Sequence, residues 1–107
     1  MSVVTNLILT FATTENEAEC IMAVNQYEND GLKINLVSAD FDKNKETGQV
    51  WYGGTKFLEA PLYIGAFNHL DINQFINHLR TIHWEFPELV QIIAKGQEDD
   101  KFTIIEL

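Results

Sequence analysis

One order of elements, strand then helix then two strands, is written twice along the chain, each time with a short helix whose apolar face needs a sheet to cover it. In the second copy Ile72, Phe75, Ile76, Leu79 and Ile82 fall on one face at helical spacing. Asp71 stands before them as an N-cap, Gln74 follows three residues on, and Leu70 and Phe75 occupy the positions of a hydrophobic staple. In the first copy Ala18, Ile21 and Met22 form the stripe, flanked by Cys20, Val24 and Tyr27. Thr14 and Glu17 have the spacing of a capping box, and Glu15, Glu17 and Glu19 suit the positive end of the helix dipole. Gly31, after Asn29 and Asp30, is the expected terminator of this helix.

The strands show a period of two. Leu7, Leu9 and Phe11 alternate with Ile8, Thr10 and Ala12, and Leu32, Ile34 and Leu36 alternate with Lys33 and Asn35. The polar run from Asp40 to Gln49 contains Thr47-Gly48 and predicts an exposed hairpin connection into Val50-Trp51-Tyr52, which Gly53-Gly54 ends. In the second copy Leu62 to Phe67 is strand-like, with Gly65 as a bulge or a point of close approach. Pro87 marks a break, Leu89 to Lys95 reads as a strand, Gly96 to Asp100 as a turn, and Phe102 to Leu107 as the closing strand. Thr14 laid on Asp71 gives an offset of 57, which also places Asn16 on Asn73, Tyr27 on Trp84, Glu28 on Glu85 and Leu32 on Leu89. The expected fold is α+β: one domain of 107 residues in pseudo-repeat halves 1–54 and 61–107. Its tandem β-α-β-β modules form one mainly antiparallel six-stranded sheet, with both helices packed on one face.

In topology this pattern resembles the duplicated strand-helix-strand-strand architecture of gyrase-inhibitor-like and SOUL-type domains. The resemblance covers the order of elements across most of the chain and matches no motif residue by residue. It implies a small-molecule site between the two copies, which Trp51, Tyr52, Tyr63 and Trp84 would line.

Charge narrows the partners. Sixteen acidic residues against seven Lys and Arg give a formal charge of −9, and the seven cations are scattered. Neutralising phosphates needs clustered cations, so direct nucleic-acid binding and docking on an anionic membrane are not expected. Cys20 is the only cysteine, which leaves no internal disulfide and no thiolate zinc site. The start MSVVTNLILTFATT lacks a basic leading region, and no run reaches the roughly 18 to 20 apolar residues of a spanning helix. A cytoplasmic location is expected.

Catalytic patterns are missing: no GxSxG, P-loop, GxGxxG or HExxH occurs. His69, Asp71 and His78 are the nearest approach to a ligand set, but their spacing matches no familiar metal signature and Asp71 already serves as a cap. Cys20 lies among Glu17, Glu19 and Glu28, which would raise rather than lower a thiol pKa. Neither an enzyme, nor a cofactor, nor a metal is expected. The reading that remains is a small acidic immunity or inhibitor protein that neutralises a basic partner, such as a toxin or nuclease, by occlusion. Asp40, Asp42, Glu46, Glu98, Asp99 and Asp100 supply the charge, and Trp51 and Tyr52 the aromatic anchors. The alternatives are a small-molecule ligand-binding domain and a homo-oligomeric structural protein, such as a homodimer, that pairs sheet edges or covers the open sheet face.

Overall fold

Leu7, Leu9 and Phe11 leave water together, and a computed structural model of the chain shows how. The structure describes residues 3–39, 52–53, 56–57 and 61–107. Strand β1 (Val4–Thr10) turns Leu7 and Leu9 inward, and Phe11 continues that side beyond its end; all three are at most 2% exposed. Helix α1 (Glu17–Val24) follows and buries Cys20 and Val24. Its N-cap is Asn16 rather than Thr14, and it stops at Val24, well before Gly31. The expected capping box does not form because Thr14 bonds to Glu85 instead. Asp30 and Gly31 both have positive φ, the requirement of a tight two-residue hairpin turn, and they join β2 (Glu28–Asn29) to β3 (Leu32–Lys33). The glycine therefore shapes a hairpin, not a helix end.

The alternation through Leu36 is a record of burial more than of pairing. Ile34 and Leu36 are buried, yet the ladder residues that reach the main sheet are those of β4 (Val37–Ser38). Leu36 has its backbone N–H and C=O taken by the Asn25 side chain, and the Ile34 amide donates to the Tyr27 carbonyl. A second short hairpin pairs β5 (Tyr52–Gly53) with β6 (Lys56–Phe57), and Gly53 is the last residue of its strand. Strand β7 (Leu62–Asn68) pairs in unbroken register with β1, which excludes a bulge at Gly65. The close approach is real: a Cβ there would lie 2.8 Å from the Phe67 ring and 3.0 Å from the Leu36 side chain. Helix α2 (Ile72–Leu79) starts as the sequence predicts, with Asp71 accepting from the Gln74 amide. Phe75, Ile76 and Leu79 are its buried face. Pro87–Leu89 forms a 3-10 turn, so strand β8 (Gln91–Gly96) begins later than Leu89, and β9 (Thr103–Glu106) closes the chain.

Among the described residues the sheet has five strands in the order β4-β7-β1-β8-β9, all neighbours antiparallel, with the β2-β3 and β5-β6 hairpins apart from it. This corrects the single six-stranded layer: the expected third strand of the first half is spent in local hairpins. Pairing is also interleaved. Strands β1 and β4, joined through α1, run parallel with β7 between them, and β7 and β8, joined through α2, run parallel with β1 between them. Two split β-α-β units in this order are the ferredoxin-like arrangement, here extended by β9. Both helices cover the same sheet face, because Val24, Phe75, Ile76 and Leu79 share one core with Leu7, Leu9, Tyr63 and Ile92.

Candidate functional site

Lying side by side on the sheet, α1 and α2 leave a groove between their outer halves. On α1 the groove side recurs at helical spacing as Asn16, Glu19, Cys20 and Ala23, and continues to Gln26. On α2 it recurs as Gln74, Asn77, His78 and Thr81. A direct bond joins the two: His78 Nε2 lies 2.8 Å from the Ala23 carbonyl oxygen, so that nitrogen carries the proton and donates. Two cavities flank this contact, of about 340 Å³ toward Asn16 and about 510 Å³ toward Asn29, with Gln26, His78 and Thr81 common to both.

The groove is acidic and amide-rich. Glu19 lines one cavity and Glu28 the other, and among the described residues no Lys or Arg lines either. Within it Asn29 Nδ2 donates to Gln74 Oε1 at 2.6 Å, which ties the β2-β3 hairpin to α2. Just outside, Arg80 donates to Asn77 Oδ1 at 3.3 Å. Tyr27 packs edge-on against Phe75 and beside the His78 ring, and its hydroxyl is buried with no hydrogen-bond partner among the described residues. Cys20 is buried at the base of the first cavity, and burial first, then the carboxylates of Glu19 and Glu85, raises its thiol pKa. A thiol held protonated is a packing group, not a nucleophile.

Beyond the Asn16 end the β1-α1 loop is clasped to the segment after α2. The Glu85 carboxylate accepts from the Thr14 amide and the Thr14 hydroxyl, each at 2.6 Å, and the Thr13 hydroxyl lies 3.2 Å away. The Thr14 hydroxyl chiefly, then the Thr14 amide, lowers the Glu85 pKa. A carboxyl lowered in the folded state stabilises the fold fully above its unfolded-state pKa, and that contribution is lost as pH falls through the lowered folded value. Glu85→Gln should therefore lie below the wild type in melting temperature at neutral pH, and the gap should close on the acid side of the ordinary carboxylate range. Thermal melts of both proteins against pH check this.

The residues singled out in the sequence fall elsewhere. Asp40, Asp42, Glu46 and Trp51 lie outside the described residues, and Tyr52 belongs to β5. Glu98, Asp99 and Asp100 are exposed in the β8-β9 turn, where Asp99 accepts from the Gly96 amide and so shapes the turn itself. Tyr63 and Trp84 are core residues on either side of Phe11, with ring centroids 5.8 and 5.1 Å away, and line neither of the two cavities. The Tyr63 hydroxyl donates to Glu17 at the start of α1. His69 holds a left-handed backbone conformation ahead of the Asp71 cap, and His83 lines only the first cavity. Among the described residues no three His, Cys, Asp or Glu side chains group as metal ligands, and no helix is long and apolar enough to cross a membrane. Sequence reasoning missed the groove, although the polar spacing of Gln74, Asn77, His78 and Thr81 was a signal for it. Comparison with protein-family models, with curated proteins and with solved structures found no match to the chain.

Proposed function

We propose that this chain is a small acidic binding protein, without catalysis of its own, that neutralises a basic partner such as a toxin or nuclease by occlusion. The groove between α1 and α2 takes a Lys- or Arg-bearing segment of that partner. The observation that carries this reading is a pair of adjacent cavities with carboxylates and side-chain amides on their walls and no Lys or Arg among the described lining residues, in a chain of charge −9. Such a field steers a basic partner into place and speeds encounter by about 10- to 1,000-fold at low salt. Titration of the isotopically labelled protein with an arginine-rich peptide tests it. Amide shifts should centre on Gln26, Asn29, Asn77 and Thr81 and weaken with salt, and Glu19→Lys with Glu28→Lys should lower affinity by more than about tenfold. Shifts confined to the Glu98–Asp100 turn, or no shifts, would overturn the assignment.

A small polar ligand in the second cavity is the other reading, favoured by Tyr27, a lining residue whose buried hydroxyl has no hydrogen-bond partner among the described residues. An unmet hydroxyl is a liability to the fold, so Tyr27→Phe should leave stability unchanged or raise it by up to about 1 kcal/mol. Urea unfolding measures this directly. A loss of stability would mean that the hydroxyl is satisfied in the empty protein, and this reading would lose its support.

A further inference from the structure

The sheet face turned away from the helices carries a straight transverse row of β-branched side chains, one from every strand. Register aligns Val37 with Ile64, Ile64 with Ile8, Ile8 with Ile93, and Ile93 with Ile104. Each alternates with an inward residue of its own strand: Ser38, Tyr63, Leu7, Ile92 and Ile105 take the other side. The two ends of the row are open to solvent, Val37 at 52% and Ile104 at 60% exposure. Phe102, half exposed, extends the apolar surface beside Lys95, whose ammonium lies 5.8 Å from its ring centre.

Charge separates this face from the rest of the molecule. Among its described strand residues there is one cation, Lys95, and one carboxylate, Glu106, while the chain as a whole stands at −9. A basic partner finds little to attract it here, and a second copy finds little to repel it. The two charges are also placed for self-recognition. Lys95 lies two residues to one side of the Ile93–Ile104 pair, and Glu106 lies two residues to the other, on the adjacent strand. A two-fold axis along the row exchanges those sides, so each Lys95 comes to the level of the second copy's Glu106.

We infer that this face is the interface of a symmetric homodimer, two sheets packed face to face across the β-branched row, closed by two Lys95–Glu106 ion pairs. Five strands about 4.8 Å apart and three rows of side chains give about 500 Å² per copy. The total is at the lower bound of specific interfaces, so the dimer belongs in the micromolar range. The groove between the helices lies on the opposite face and stays open in it.

Sedimentation velocity of the whole chain from about 5 to 500 µM tests the inference, since a weak dimer must follow mass action. The wild type should pass from monomer to dimer across this range. Val37→Lys with Ile104→Lys, at sites more than half exposed in the monomer, should stay monomeric with an unchanged circular dichroism spectrum. Lys95→Glu should weaken the dimer by more than about tenfold, and adding Glu106→Lys should restore it. A wild type that is monomeric throughout overturns the inference, whether the face is bare, covered by this chain itself or kept for another protein. A dimer indifferent to the row substitutions, or a charge inversion without rescue, overturns it as well.

Discussion

Trp84→Ala should remove about 3 to 5 kcal/mol of stability, a loss comparable to the whole stability of many small domains. Trp84 is 9% exposed and tilts against Phe11 at 5.1 Å between ring centroids. Its indole Nε1–H donates to the Leu79 carbonyl at 2.8 Å, an oxygen at the end of α2 that also accepts from the Ile82 amide at 3.2 Å. Truncation thus opens a cavity under β1 and removes one of the two donors to the last carbonyl of α2. Trp84→Phe keeps most of the packing and loses only the donor, so it should cost about 1 to 2 kcal/mol. Urea denaturation of the three proteins separates the two contributions. Equal losses in the two variants would show that the indole bond, not the cavity, dominates.

Asn25→Ala should be the largest effect of any substitution outside the apolar core. The Asn25 side chain accepts from the Leu36 amide at 2.9 Å and donates to the Leu36 carbonyl at 3.2 Å, standing in for the neighbouring strand that Leu36 lacks. Leu36 is 3% exposed, so both backbone groups would be stranded together. At about 1 to 3 kcal/mol for each unmet buried group, a loss of about 2 to 4 kcal/mol follows. Asn25→Asp refines the test. The ionised carboxylate would still accept from the amide but would face the carbonyl oxygen without a proton to share. Folding therefore favours the protonated form and raises that carboxyl's pKa above its unfolded value. The stability it returns is present below the unfolded pKa and is lost as pH rises through the folded one. The deficit of Asn25→Asp against the wild type should shrink as pH falls, whereas that of Asn25→Ala should stay constant.

What the sequence made legible was local. The stripe from Ile72 to Leu79, the Asp71 cap and the alternation around Leu7 and Leu9 are set within a few residues, and each stands in the structure where periodicity placed it, while Ile82 falls beyond the helix end. Thr14 shows the limit of such reading. Its spacing to Glu17 is right for a capping box, but Glu85 offers a charged acceptor from 71 residues away and wins. Alternation around Ile34 and Leu36 marked burial correctly and pairing incorrectly, because a side-chain amide can replace a strand. The groove was hidden for a related reason: each polar helix face, taken singly, has the composition of a solvated surface. Only the tertiary approach of Ala23 to His78 turns two such faces into the walls of one site.

The interleaved sheet has a consequence for the way this chain comes into being. Strand β1 is made first and lies at the centre, yet its nearest partner in sequence, Leu62 opposite Thr10, is translated more than 50 residues later. Its other neighbour, β8, follows still later. Through that interval both backbone edges of β1 stand unpaired, available to chaperones or to another nascent copy. Neither half can acquire its own central pair, so a chain cut between residues 54 and 61 would yield two fragments that fold only on each other.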